Sequence, residues 1–545
     1  MDKHRLSRTS LFFAAAAALF LFVLPAAAET RFHILMVNDT HSYILPYMEA
    51  APDGSAVPAG GLDRALWLVR QERTAIASAD SAPIFFLEGG DLMLGLKGST
   101  FSGEPEYESL SLLGCDAGVL GNHDFDGGVR TLAKLGRLLK FPVLASNIRF
   151  YDKNVGKCYA RTTVIERGGV RIGCFGLVTP LLKSIIDDPS GFSIDEGVIG
   201  AARKCVSELT AQGCSIIVAI NHVGLDWDKK LAQNVAGIDV IVGGHSHDAI
   251  GEKLVVTGPD GGKTLIGQAG LDGRYAGRFD VAVDGEGRLI EDQSSWKLLS
   301  VGPDTLAVAE IEKIGGAARA GLAKALEIGN PAVVFTVPVD GRREAVRAGE
   351  SALGDLVTDA LRWRLNARVS LLNGGSIRVG RLVPKGDFTP NDMLDLLPYG
   401  TKTVRVLVTG AELKKQLEIA ASSLVGVNDH YEPALRCYNG EFLQMSGLRV
   451  VYDTTKTPAQ VVARRMTKPG ARVASLLIDG SGGWTPVEDD QVYSVGTSEF
   501  AVKEWNCLFC EKTNETDMHA LDTYLEEVLH RRAAPAAEGR ITIIR

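Results

Sequence analysis

The sequence predicts an α/β protein built as two domains joined by a helix. Three observations carry that prediction. Short apolar, β-rich runs alternate with runs of helical spacing from residue 29 to about 300, and again beyond about 331, as strands and crossover helices do. Five strand-like runs in the first half end alike, in one or two Asp, His or Asn residues, at the strand ends where α/β sheets place their chemistry. A chain of 545 residues, 46% hydrophobic, is long enough for two domains with cores of their own.

Taken in order, Lys3, Arg5 and Arg8 precede an apolar run from Leu11 to Leu24, and Ala26-Ala27-Ala28 offers a small-residue cleavage site. That pattern predicts a signal peptide over 1–28, too short to span a bilayer comfortably. The mature protein is then expected to begin near Glu29, periplasmic or secreted, with no membrane anchor: no other run approaches transmembrane length, and no C-terminal hydrophobic tail follows the glycolipid-anchor pattern. The chain has 58 Lys+Arg and 66 Asp+Glu; the leader holds three of the basic and one of the acidic residues, which leaves 55 against 65, a net charge of −10. Such a balance gives no electrostatic footprint for long nucleic acid. The eight cysteines do not form the dense framework of a stapled scaffold. Cys174 reads as a buried thiol. Cys507 and Cys510 are best placed for a disulfide, with two free thiols or a bond to Cys437 as the alternatives.

A first domain is expected over 29–303. Helical spacing runs over 61–79, 130–139 and 197–212, and further strands are expected over 143–147 and 171–178, with 289–299 closing the domain. Residues 304–330, rich in Ala, Glu, Lys and Leu, predict a linker helix. A second α/β domain is expected over 331–545, with helices at 352–365 and 391–396 and strands at 369–372, 402–408, 448–452 and 492–497.

The chemistry is concentrated in Gly121-Asn122-His123-Asp124-Phe125-Asp126. The apolar strand 117–120 precedes it, and the glycine is expected to turn the backbone. An amide, an imidazole and carboxylates packed so tightly are costly to hold together without a cation or substrate. Four companions follow other strand-like runs: Asp39-Thr40-His41, Gly89-Gly90-Asp91, Asn221-His222 and Gly243-Gly244-His245-Ser246-His247. Mixed carboxylate, imidazole and amide donors suit Mn²⁺, Zn²⁺, Fe or Co²⁺ better than Ca²⁺, and the lack of Cys argues against a structural zinc site.

In this order the motifs resemble the calcineurin-like metallophosphoesterases, and within them the secreted 5′-nucleotidase/UDP-sugar hydrolase family. A second family motif, Asn373-Gly-Gly-Ser-Ile-Arg378, extends the resemblance over nearly all of the mature chain. The resemblance implies a four-layer β-sandwich flanked by helices, followed by a substrate-binding C-terminal domain. It implies two divalent ions (Mn, Zn, Co or Mg) bridged by Asp91, with Asp39, His41 and His247 completing one shell and Asn122, His222 and His245 the other. His123 is implied as transition-state stabiliser or proton donor oriented by Asp126; on an extended segment it would face away from Asn122. No direct chemistry falls to Asp124. Asn373, Arg378, Tyr399 and Arg347 match substrate-binding positions, Tyr399 as a ring stacked on the nucleobase. Gly349 stands where the family often has an arginine. After Phe500 the usual glycine-rich aromatic loop is replaced by Ala501-Val-Lys-Glu-Trp505-Asn-Cys-Leu-Phe509-Cys510, so Trp505 or Phe509 is left to supply the second ring.

The expected function is an exported two-metal phosphohydrolase acting on 5′-nucleotides or related phosphoesters such as UDP-sugars. Alternatives on the same site are a cyclic phosphodiesterase and a sulfate-thioester hydrolase. A non-catalytic nucleotide-binding protein is the alternative of another class, and the intact ligand set with His123 argues against it.

Overall fold

The computed structural model describes residues 29–326, 328–424, 440–462, 464–480 and 482–545; the expected signal peptide and Cys437 lie outside them. The strand Thr30–Val37 is buried from Phe32 onward, on both faces, as a central strand between two packed layers must be. Its neighbours are Ile84–Glu88, parallel, and Tyr275–Val283, antiparallel. The complete sheet runs Ser295–Ser300, Tyr275–Val283, Thr30–Val37, Ile84–Glu88, Ala117–Val119, Val143–Leu144. A second six-stranded sheet runs Leu254–Thr257, Lys263–Gly267, Val240–Val242, Ile216–Ile220, Val170–Phe175, Thr162–Arg167.

Side-chain alternation sorts the layers. Ile34, Met36, Phe85 and Leu87 face Ile172, Val218 and Val240 in a core between the sheets. Leu35, Val37 and Phe86 face the other way, onto Leu66 and Val69 of the helix Leu62–Ala79. Ile217, Ala219 and Ile241 pack outward onto the helices Val198–Ala211 and Leu225–Asn234. The result is helix, sheet, sheet, helix: the four-layer sandwich that the resemblance implies.

The strand expected over 143–147 is shortened to Val143–Leu144. Ser146 and Asn147 bond through their side chains instead, to Arg161 O and to Val178 N, which competes with a sheet ladder. The segment expected to close the first domain is a short 3₁₀ turn followed by Ser295–Ser300.

The helix Ala309–Leu326 serves two cores, with Ile311 in that of the first sheet and Leu322 in that of the second domain. Beyond it a five-stranded sheet runs Leu443–Ser446, Val369–Asn373, Val492–Ser498, Lys402–Thr409, Phe509–Thr516, and a four-stranded one runs Gly483–Pro486, Val473–Gly480, Leu448–Asp453, Ile541–Ile544. Helix Pro390–Leu396, in the same second-domain core as Leu322, starts at a capping box: Thr389 and Asp392 each accept from the other's backbone N–H.

The two halves meet backbone to backbone at Gly95-Leu96. Leu96 N donates to Pro398 O at 2.7 Å. Gly95 has φ 51°, and a Cβ there would stand 2.3 Å from Pro398 O, so only glycine fits. Lys97 pairs with Asp395 beside this contact, and Lys503 Nζ reaches Asp187 Oδ1 at 2.8 Å farther out.

The disulfide expected between Cys507 and Cys510 is not formed; both are free thiols. Cys507 packs against the second-domain core, while Cys510 is exposed on the strand Phe509–Thr516. A chain extending into a strand carries residues three apart toward about 10 Å, beyond disulfide reach. Among the described residues, no helix is long and apolar enough to cross a membrane.

Candidate metal centre and active site

Each of the five strand ends delivers its polar residues to one place. Within each sheet the strands that do so run parallel, so their carboxyl ends share an edge. Donor atoms of Asp39, His41 and His247 lie within 4.8 Å of one another, as do those of Asp91, His222 and His245. His123 joins His41 and Asp91 in a third group of the same kind.

Reaching that point distorts the backbone. Asp39, His41, Asp91, His245 and His247 hold φ values of 49°, 51°, 52°, 81° and 65°, a region that L-residues seldom occupy. Gly90, at φ 86°, makes its turn as expected. Gly121 and Gly244 have no positive φ; what they supply is room. A Cβ at Gly121 would stand 2.1 Å from Asp91 Oδ1, and one at Gly244 2.3 Å from Gly89 O.

Hydrogen bonds fix the imidazoles. His222 Nδ1 donates to the carbonyl of Gly89 at 2.9 Å, which turns Nε2 to the cluster, where it carries a proton or, once that is released, offers its lone pair to a cation. His41 Nδ1 meets Asp272 Oδ1 at 3.0 Å, with the same result. Asp39 is held by the amide of Asn38 at 2.7 Å and by His245 N at 3.0 Å. His123 N donates to Asp91 Oδ1 at 2.8 Å. The segment at His123 is a 3₁₀ turn, His123–Phe125, not the extended stretch expected: Asp124 accepts from Gly121 N at 2.7 Å and winds the chain. That turn places Asp126 one winding on, with Oδ2 3.0 Å from His123 Nδ1 and 2.8 Å from Gly95 N.

The charge balance is demanding. Burial opposes ionisation of Asp91, yet His222 and His123 hold it well below the usual carboxylate range. Asp39 is lowered too: burial works against it, and His222 and His247 win. Conversely, burial would lower His222, but the Asp91 and Asp39 charges raise it to about 10. His41 rises to about 9 against its burial, chiefly through its hydrogen bond to Asp272. Burial pushes His245 down to about 3 and His247 to about 4, so these two stay neutral. Protons on His41 and His222 thus offset two buried carboxylates. A divalent cation is the alternative counter-charge, and its binding would release those protons.

The donor set fits such a cation. His41 Nε2, His222 Nε2 and Asn122 Oδ1 are buried and have no hydrogen-bond partner among the described residues. His222 Nε2 comes within 3.0 Å of Asp91 Oδ2, and His41 Nε2 within 3.6 Å of it, neither in hydrogen-bond geometry. Buried lone pairs facing one another in this way suit a shared positive ion.

The second domain closes the site. Arg378 Nη2 lies 3.0 Å from His123 Nε2; a guanidinium can only donate, so Nε2 accepts. Tyr399 stacks on the His123 ring at 6.1 Å with 26° between planes. Arg347 is buried near Arg378 and Arg343: burial first, then those two charges, hold its guanidinium well below its usual value, the mark of a place that favours an anion. Asn373 shares a small cavity with Trp505, whereas Phe509 is exposed on the edge strand. Asn373, Trp505 and that cavity are not in contact with the His123 cluster through any hydrogen bond found among the described residues.

Asp272, Asn38 and Arg343 were not anticipated from sequence. Asp272 had a signal: it follows the strand Lys263–Gly267, the neighbour of Val240–Val242 in the second sheet, and so obeys the strand-end rule at a longer spacing.

Strand-end carboxylates and imidazoles on a four-layer sandwich define a metallophosphoesterase site, and the comparisons agree. The model for calcineurin-like phosphoesterases matches residues 32–249, and that for the 5′-nucleotidase C-terminal domain matches 328–508. The chain belongs to the calcineurin-like phosphoesterases that carry a 5′-nucleotidase C-terminal domain, and it is a metal-dependent phosphoester hydrolase. It is 28% identical to the 5′-nucleotidase of Mus musculus over 567 residues, covering 95% of this chain and 91% of that one. It is 25% identical over 500 residues to the trifunctional nucleotide phosphoesterase protein YfkN of Bacillus subtilis, 84% of this chain but 32% of YfkN, so it spans about a third of that relative's length. The crystal structure of a 5′-nucleotidase precursor from Thermus thermophilus superposes with a TM-score of 0.80 at 27% identity, covering 94% of this chain and 99% of that one.

Asp272→Asn keeps an acceptor and the tolerance of positive φ but removes the charge behind His41. Metal affinity should fall by about 10- to 100-fold, the usual effect of losing a ligand's outer partner. Calorimetric titration of metal-free protein checks this, with circular dichroism to show the fold intact.

Proposed function

We propose that the protein is an exported 5′-nucleotidase that uses two divalent cations to hydrolyse the phosphoester of nucleoside 5′-phosphates. Asp39, His41 and His247 would hold one ion, Asn122, His222 and His245 the other, with Asp91 shared. When bound, such ions polarise phosphoryl oxygens and acidify a water. The chain's own residues do the rest. Asp126 fixes the orientation of His123, leaving Nε2 as the atom that meets the substrate; with the ring protonated, Nε2 would give its proton to the leaving group and recover one from the attacking water. Arg378 sets a permanent positive charge at that atom, and Arg347 and Arg343 add to the attraction for a phosphoryl anion.

One observation carries the nucleotide reading: the reacting end and the second domain form a single site, His123 touching both Arg378 and Tyr399. A hydrolase of small phosphates has no need of that second wall. Tyr399 at the catalytic end and Trp505 beside Asn373 offer rings to a base. Export rests on residues 1–28 alone. Assay of AMP, UMP, UDP-glucose, a 2′,3′-cyclic nucleotide and an aryl phosphodiester, each with Mn²⁺, Co²⁺, Zn²⁺ and Mg²⁺, tests the assignment. The 5′-monophosphates should lead in kcat/KM; a cyclic substrate in front would overturn it.

Asp91→Ala leaves two cations without a common anion, so elemental analysis should find at least one lost and hydrolysis abolished. Two ions retained per chain would contradict the shared-ligand arrangement. His123→Ala should keep its metal and its KM while kcat falls by roughly 10²- to 10⁴-fold, the range of a general acid–base group.

Tyr399→Ala should lower kcat/KM for AMP by about 5- to 150-fold, the worth of one base–aromatic stack, and spare the aryl phosphodiester. Equal losses on both substrates would instead make the ring a partner of His123.

A further inference from the structure

A cavity of about 210 Å³, lined by none of the residues of the metal cluster, lies where the two domains and the helix Ala309–Leu326 meet. Its walls come from three places: Ile44 and Tyr47 in the segment just after His41, Ala318 and Arg319 on the connecting helix, and Asn391 on the helix that leads to Tyr399. It falls below the roughly 300–1,000 Å³ of sites that take drug-sized ligands, so a nucleotide does not fit. Glu106 also lines it, from the helix Glu104–Leu112. The residue is 1% exposed; the Ser42 hydroxyl bonds its carboxyl group and Lys97 stands nearby, yet its Oε2 has no hydrogen-bond partner among the described residues. Tyr47 Oη is buried and unpartnered as well. Other carboxylates at the cavity are already matched: Asp395 by Lys97 and Arg381, Asp392 by Arg381. The surrounding rings already attract cations. Lys97 Nζ lies 3.9 Å from the centre of the Tyr43 ring, and the Arg381 guanidinium 4.8 Å from that of Tyr47.

A buried carboxylate oxygen left without a donor is expensive in a folded protein. Here it stands beside apolar walls and aromatic rings, a combination that suits a cationic donor on a short apolar body. We propose that this junction cavity is a second ligand site, specific for a small organic cation, an ammonium or amidinium group with a compact apolar body. The charged group bonds Glu106, and the body lies between Ile44, Tyr47 and Ala318. Because the walls belong to both domains and to the helix between them, the bound cation holds the three together.

Benzamidine and phenethylamine are the probes, titrated calorimetrically into the metal-loaded full chain above pH of about 7, the value to which burial raises the Glu106 carboxyl, so that it is mostly ionised. Saturable binding to one site, a rise in Tm with ligand concentration, and no effect of inorganic phosphate on the affinity are expected. Glu106→Gln should weaken binding by about 10- to 100-fold, the worth of one charge-assisted hydrogen bond. Ala318→Phe, which fills the cavity from the helix, should abolish it. Phenylacetate, the same body with the opposite charge, should not bind. Absence of saturable binding to the wild type, displacement of the amine by phosphate, or affinity unchanged in both variants would each overturn the proposal.

Discussion

Two buried carboxylates, those of Asp39 and Asp91, are pressed into one cluster of imidazoles, and the rest of the first domain is arranged to make that tolerable. Neither can be ionised there without positive charge close by. His222 stands against both, its Nε2 3.0 Å from Asp91 and 3.8 Å from Asp39. The parallel strands exist in this arrangement because only their ends can bring residues so far apart in sequence to one point. The left-handed backbone at Asp39, His41, Asp91, His245 and His247 is the local cost, on the order of 1–3 kcal/mol for each such residue. Attraction among opposite charges is what offsets it.

From that constraint follows the role of the second domain. A site whose positive charge is all at the bottom would hold a phosphoryl group without choosing what it is attached to. Arg378 and Tyr399 reach His123 from the second domain, with Arg347 beside Arg378, so in the function proposed above the chemistry and the selection of substrate would occupy adjoining surfaces. The helix Ala309–Leu326, with one end in each core, sets how those surfaces face one another.

Much of this was legible in the sequence. The five strand ends declare themselves because apolar runs stop at Asp, His or Asn, and the period of a strand leaves little doubt about where the chain turns. Helix positions followed from spacing, and the capping box of Thr389 and Asp392 is what the structure adds at the start of one of them. What escaped shares a cause: it depends on contacts across long stretches of chain. Asp272 bonds His41 from 231 residues away, and it stands five residues past Gly267, the end of its strand, a longer spacing than that at which the other strand-end motifs begin. The 3₁₀ turn at His123 was hidden because Asp124 acts through its side chain on Gly121 and not through any helical pattern. Gly121, expected to turn the chain, instead makes room for Asp91, since sequence distinguishes turning from crowding poorly.

The contact between Leu96 N and Pro398 O, flanked by the bare α-carbon of Gly95, has a bearing on how such enzymes diversify. It is made by main-chain atoms, so beyond that glycine the side chains it depends on are few, Leu96 in the second domain's core and the Lys97–Asp395 pair beside it. A catalytic half carrying that glycine can therefore accept recombined second halves whose pockets differ widely, provided the loop before the tyrosine presents its carbonyl. Domain shuffling between distant members of the lineage, by nature or in the laboratory, has in this seam a joint that is indifferent to specificity.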